Sequence, residues 1–276
     1  MLVLAAALVA YAVAEARRDP VVRRVTLARA DWPAGAAPIR IALLSDIHIG
    51  NHAMDAARLA RIADRVTALR PDLILIAGDL VAAKGGAGGR EYAQWLPAPL
   101  SRLHARLGVV AVLGNHDHWA APGAIRQALT AAGVSLLANR AERRGPIAIA
   151  GIDDGYTRHD RIADTIASAR RLGGALVVLS HAPSVTPGLP GGALLLAGHT
   201  HCGQLVLPVW GALTTRSPVS GAPLFDPRYR CGVVRDRGRT VIVTAGLGTS
   251  ELPVRLGAPP DVWLVTLGPA VSRPRS

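Results

Sequence analysis

The chain has 276 residues, of which 50% are apolar, 18% are charged and two are cysteine. These proportions exclude a disordered chain, a disulfide-built miniprotein and a polytopic membrane protein, since only the extreme N-terminus is apolar enough to be weighed as a span. Lys and Arg outnumber Asp and Glu by 31 to 19, and the net +12 is almost all arginine, with Lys84 the lone lysine. Such an excess reads as a polyanionic partner, either nucleic acid or an anionic membrane surface, or as coding bias. Aromatics at 4% argue against recognition of single strands by base stacking.

Met1 to Ala14 is apolar and uncharged, and Arg17, Arg18, Arg23 and Arg24 follow Glu15. Residues 1–16 are therefore read as an anchor or signal segment, short of the roughly 20 apolar residues of a full span. As an anchor, its trailing arginines would keep the main domain in the cytoplasm. As a secretory signal, Ala12-Val13-Ala14 would be its cleavage site, although no basic region precedes it. As neither, it would be a buried first helix. The arginines also suit anionic head groups. Residues 17–38 read as a linker with one strand at Val21 to Leu27 and turn chemistry at Asp31 to Gly35.

From Ile39 a strand–helix alternation sets in. Strands are expected at 39–44, 73–77, 109–113, 134–137, 147–152, 175–179 and 194–197. Helices are expected at 54–69, 92–106 (interrupted by Pro97 and Pro99), 125–132 and 162–172. Gly85 to Gly89 reads as a flexible loop. After Gln204 only strands are expected, at 205–207, 232–234, 240–244 and 262–267, before a frayed tail at 268–276. The alternation predicts a layered α/β catalytic domain over 39–267, and its strand-rich end a second sheet.

Polar residues interrupt this pattern at the carboxyl ends of five strands, where sites gather in layered α/β folds. There lie Ser45-Asp46-Ile47-His48, Gly78-Asp79, Gly114-Asn115-His116-Asp117, Ser180-His181 and Gly198-His199-Thr200-His201. Each alone has an ordinary reading as a turn, a helix cap or a buried histidine. Together they offer seven candidate metal ligands: Asp46, His48, Asp79, Asn115, His181, His199 and His201. Imidazole with carboxylate suits Zn, Mn or Fe. Seven ligands are too many for one ion and suit two sharing a carboxylate, an arrangement that clamps in-line displacement at phosphorus. His116 is left to protonate a leaving oxygen, with Asp117 to orient it.

These five motifs resemble those of the calcineurin-like metallophosphoesterases, over residues 39–267. Gly203-Gln204 and Ala245 to Ser250 are similar to the bacterial YaeI/YkuE-type branch, whose members typically carry an N-terminal membrane or export segment. The resemblance implies a four-layer α/β/β/α sandwich of two mixed sheets flanked by helices, and two divalent ions (Mn, Zn, Fe or Mg). It implies that Asp46, His48 and His201 hold one ion and Asn115, His181 and His199 the other. Asp79 would bridge them, and His116 would serve as general acid or transition-state stabiliser. Cys202 departs from the glycine expected there. It is a bystander, a redox-sensitive thiol, or half of a disulfide with Cys231, the last only if the domain is exported. Asp153 and Asp154 follow a strand and read as a turn or as part of the cleft.

The implied activity is hydrolysis of a phosphate ester or anhydride. The leading substrate class is a lipid- or nucleotide-linked phosphate at a membrane, a UDP-2,3-diacylglucosamine type included. The alternatives are a nuclease or cyclic-nucleotide phosphodiesterase and a metal-stabilised binding module, the latter disfavoured by the intact ligand set and His116. Loops at 81–95, 118–124, 153–161 and 208–230 are the expected cap over the substrate.

Overall fold

The structure, a computed structural model, describes residues 2–82, 85–213, 215–216 and 221–270. Lys84, part of the expected 208–230 cap and residues 271–276 of the expected tail lie outside the described residues. The first half of the chain runs α1 (Leu2–Arg17), β1 (Val21–Arg29), β2 (Ile39–Leu44), α2 (Ala56–Ala68), β3 (Leu73–Ala77), α3 (Gly86–Ala93), α4 (Pro97–Leu100), β4 (Val109–Val112), α5 (Asn115–Ala120), α6 (Pro122–Ala131) and β5 (Ser135–Leu136). It continues through β6 (Arg140–Arg144), β7 (Ile147–Gly151), α7 (Ile162–Leu172), β8 (Ala175–Leu179), β9 (Leu194–Ala197), β10 (Val206–Leu207), β11 (Gly211–Ala212), β12 (Gly232–Asp236), β13 (Arg239–Val243) and β14 (Asp261–Pro269).

Two mixed six-stranded sheets form, ordered β1-β14-β2-β3-β4-β5 and β12-β13-β9-β8-β7-β6. The period of two decides which side chains meet. Ile41, Leu43, Leu73 and Leu75 point inward and pack with Ile149, Val177, Leu179 and Leu196 of the other sheet. Their neighbours Ala42, Leu44, Ile74 and Ile76 point outward onto Leu59, Ile62 and Val66 of α2 and Ile125 and Leu129 of α6. On the far side Ala148, Val178 and Leu195 meet Ile166 and Ala169 of α7. The result is the expected four-layer sandwich.

Three local expectations need correction. The 17–38 segment is not only a linker, because β1 pairs in parallel with β14 along its whole length, from Val21 opposite Asp261 to Arg29 opposite Pro269. Arg23 Nε donates to Asp261 at 2.6 Å, and Arg29 reaches Gly192 O and Leu176 O beside the second sheet. Edge pairing and these side chains incorporate a segment whose composition looked like a connection. Next, Gly86–Ala93 is helical where a flexible loop was expected, and the expected helix at 92–106 reduces to α4. Gly89 lies directly against Ala120, so tertiary packing overrides poor helix propensity. Finally, β14 extends to Pro269, two residues into the expected tail.

α1 is not a buried first helix. Leu2, Val3, Leu4, Leu8, Val9 and Tyr11 are exposed, and only its last turns, at Ala12, Glu15 and Ala16, are buried. That end is fixed to the domain by Arg255 N donating to Ala12 O at 2.9 Å and Arg17 donating to His52 O at 2.8 Å. No helix among the described residues is long and apolar enough to cross a membrane.

Candidate metal centre

The carboxyl ends of β2, β3 and β4 in one sheet and β8 and β9 in the other meet at one edge of the sandwich. Backbone bonds join four of the five loops there in pairs: Asp46 N to Gly78 O, His48 N to Asp79 O, and Gly198 N to His181 O, all at 2.9–3.0 Å. Five of the seven expected ligand positions, Asp46, His48, Asp79, His199 and His201, have φ between 48° and 71°. Such left-handed non-glycine residues cost of the order of 1–3 kcal/mol each and persist where the surroundings hold them, typically at functional sites. Gly198 serves the same turns by its lack of a side chain, because a Cβ there would overlap Ser45 Oγ and Asp46 Oδ2. Gly198→Ala is expected to displace Asp46 and lower phosphoester turnover about 100-fold with secondary structure kept, checked by rate assay and circular dichroism.

The seven residues form two groups that meet at Asp79. In the first, His48 Nε2 lies 3.2 Å from His201 Nε2, and Asp46 Oδ1 lies 3.3 Å from His201 Nε2 and 3.9 Å from His48 Nε2. In the second, Asn115 Oδ1 is 3.0 Å from His181 Nε2 and 2.9 Å from His199 Nδ1, and these nitrogens are 3.2 Å apart. Asp79 Oδ2 stands 3.5 Å from His48 Nε2 and 3.2 Å from His181 Nε2, touching both groups. Its other oxygen accepts the His116 amide at 2.9 Å. Ligands at about 2.1 Å from a tetrahedral or octahedral ion are about 3.0–3.4 Å from one another, so the closest donor separations fit cation sites.

Tautomers fit as well. His181 Nδ1 can only donate to Ala77 O, at 2.7 Å, which leaves the Nε2 lone pair facing the centre. His199 Nε2 donates to Leu224 O at 3.0 Å, which leaves Nδ1 facing it. A carbonyl fixing the remote nitrogen is the usual partner of a ligating histidine. Burial pushes His48 down to about 3 and His199 to about 4, and burial with the neighbouring His48 and Arg255 pushes His201 well below the usual range. Burial would raise Asp79, yet His181 and His116 outweigh it and hold its carboxyl well below the usual value. Burial, with the repulsion of Asp79, lifts Asp46 to about 7. Burial would lower His181, yet Asp79 and Asp46 outweigh it and hold it well above the usual value, so a bound cation would take the place of its proton. Neutral His48, His199 and His201 crowded with carboxylates in a dry site complete the donor set of a divalent cation.

The calcineurin-like phosphoesterase family model matches residues 39–203, more than half of the chain. The chain belongs to this family. That family is one of metal-dependent phosphoesterases. A transmembrane protein with metallophosphoesterase domain from Danio rerio is 28% identical over 285 residues. That match covers 96% of this chain and 61% of the Danio rerio protein, so the chain spans less than two thirds of that relative. The metallophosphoesterase YkuE of Bacillus subtilis is 28% identical, with 85% and 81% covered. A metallophosphoesterase of Aquifex aeolicus is also 28% identical, with 89% and 91% covered.

In this member of the family, Asp117 differs from its expected role as orienter of His116. Its Oδ1 accepts Leu80 N at 2.8 Å and Val81 N at 3.3 Å, and its Oδ2 accepts Gly114 N at 2.9 Å. It binds the loop after β3 to the start of α5 and so positions Asp79 and His116 through the backbone. Asp153 bonds His118 at 2.8 Å, buried Asp154 accepts both the amide and hydroxyl of Thr157 at 2.7 Å, and the ring of Tyr156 lies 4.7 Å from that of His199, so this turn borders the centre. His116 lines the open cleft, edge-on to His48 with ring centroids 4.7 Å apart.

The cleft holds about 500 Å³. Its walls include Trp119, Tyr156, Leu205, Arg216, Phe225 and Leu252. Three of the four expected cap loops contribute. Among the described residues the 81–95 loop does not line it, and the 250–252 segment does. Arg255 escaped the sequence reading, although it is fully buried with Nη2 3.3 Å from His201 Nδ1. Its downstream position from Ala245-Gly246-Leu247-Gly248 was the available signal. Cys202 has φ of 54°, which explains why glycine suits this position, and it is disulfide-bonded to Cys231.

Proposed function

We propose that Asp46, His48, His201 and Asp79 hold one divalent cation, that Asp79, Asn115, His181 and His199 hold a second, and that the pair hydrolyses an amphiphilic phosphodiester or pyrophosphate. The position of Asp79 Oδ2 between the two groups carries this reading. When bound, the cations supply positive charge against the phosphoryl oxygens and make the attacking water acidic. His116 gives a proton to the leaving oxygen. Arg216 meets a second anionic group, and Trp119, Tyr156, Phe225 and Leu252 take an apolar portion and exclude water.

A lipid- or nucleotide-linked phosphate, such as one of UDP-2,3-diacylglucosamine type, has both portions. The Danio rerio relative is named as a transmembrane protein, which together with the apolar α1 supports work at a membrane. The Cys202–Cys231 disulfide favours the exported alternative over the cytoplasmic one. It closes a loop across a separation of 29 residues, and its reduction is expected to cost about 3–4 kcal/mol. Thermal melting with and without dithiothreitol checks this, and an unchanged Tm would remove the disulfide from the account.

The deciding experiment is a screen of chelated and metal-reconstituted protein over mono-, di- and pyrophosphates, with a nucleotide-linked lipid included. Metal-dependent hydrolysis favouring the amphiphilic compound is expected. Equal rates on short soluble diesters would refute the amphiphilic part, and metal-independent rates the whole. Turnover of nucleic acid that falls steeply with salt would point to the nuclease alternative.

A further inference from the structure

We infer that the β10–β11 hairpin is a lipid-docking finger that seats the cleft on an anionic bilayer, an inference that rests on the amphiphilic-substrate reading. Val206 and Leu207 pair antiparallel with Ala212 and Gly211, and Pro208, Val209 and Trp210 form the tip. Val209 is 104% exposed and Trp210 82%, so the tip stands clear of the body. An indole on a narrow apolar protrusion is suited to the bilayer interface, where its ring is apolar and its N–H stays wet.

The finger is fixed to the cleft wall and to α1 by one short segment. Val206 N donates to Leu256 O at 2.7 Å, and Leu205 of the cleft bridges to Leu256. The next residue back, Arg255, donates its amide to Ala12 O and so holds the end of α1. Leu252, exposed and in the cleft wall, lies on the same segment. Finger, cleft wall and exposed apolar helix therefore share one edge of the molecule.

The charges of this edge suit anionic head groups. Arg17 at the end of α1 and Arg18 after it are exposed, as is Arg216 of the cleft. Among the acids here, Glu15 is buried and paired with Arg18, Asp19 pairs with Arg65, and Asp226 pairs with Arg228, while Glu251 lies in the cleft wall. Apolar protrusions beside exposed arginines match the ordered chemistry of a bilayer, acyl chains beneath anionic phosphates.

The test uses the full chain with phosphatidylcholine vesicles, with and without phosphatidylglycerol. The wild type is expected to sediment with the anionic vesicles, and Val209→Asp/Trp210→Asp to bind about tenfold more weakly or worse. Hydrolysis of bis-p-nitrophenyl phosphate stays unchanged, because neither residue lines the cleft, and so reports that the variant is folded. Brominated lipid quenches wild-type tryptophan emission, and Trp210→Phe removes much of that quenching. Equal vesicle binding by wild type and hairpin variant overturns the inference, whether both bind through α1 (read with Leu4→Asp/Leu8→Asp) or neither binds. A protein dimer dissolved by the hairpin variant, without vesicle binding, also overturns it. Vesicle binding lost with the hairpin, in a protein that hydrolyses no phosphoester, would instead sink the proposed function alone.

Discussion

His116→Ala is expected to keep both metal ions and to lose about 10²–10⁴-fold in kcat on an alkyl phosphodiester. The side chain lies outside the two donor groups as assigned, at the cleft, edge-on to His48, while its backbone amide holds Asp79. Alanine keeps that amide, so the effect isolates the imidazole. A proton donor matters most when the leaving oxygen is basic. The loss should therefore shrink on a p-nitrophenyl ester, whose leaving group departs without protonation. His48, Asp79 and His116 also lie close enough to gather around one ion, which provides the competing account. Loss of a metal ion from His116→Ala, with equal loss on both substrates, would make His116 a ligand rather than a donor.

Arg255→Met is expected to destabilise the fold by about 3 kcal/mol or more and to deplete the first donor group of metal. The guanidinium is fully buried, and burial pushes it down to about 10, still charged at neutral pH. It donates to Ala245 O and Gly248 O at 2.6 Å and to Ala258 O at 2.8 Å. Removing it strands these buried carbonyls at about 1–3 kcal/mol each. The same loop backs the centre, since Leu247 N and Gly248 N donate to Ser45 O and Asp46 O at 3.0 and 2.7 Å. Denaturant unfolding and metal analysis read the two effects separately. A variant with wild-type stability would mean that the carbonyls find other partners.

The centre was legible because its residues sit where apolar strands stop, and strands of two buried sheets are hydrophobic enough to make each interruption stand out. The sandwich followed from the same runs. What stayed hidden depends on contacts between distant segments. The pairing of β1 with β14 joins residues some 240 positions apart, and no local pattern announces a parallel edge. The glycine run at 86–89 says loop by propensity and becomes helix through packing on Ala120. Asp117 shares a motif with His116, yet its carboxylate serves backbone amides from another strand end. Arg255 carries no motif of its own, and its role comes from carbonyls that only the folded chain brings together.

Metal content in wild type and Asp79→Asn, measured by plasma mass spectrometry beside hydrolysis of bis-p-nitrophenyl phosphate, tests the shared carboxylate most directly. About two ions per wild-type chain are expected. Asp79→Asn is expected to retain one ion or none and to lose nearly all turnover. Two ions retained with full activity in Asp79→Asn would contradict a shared Asp79.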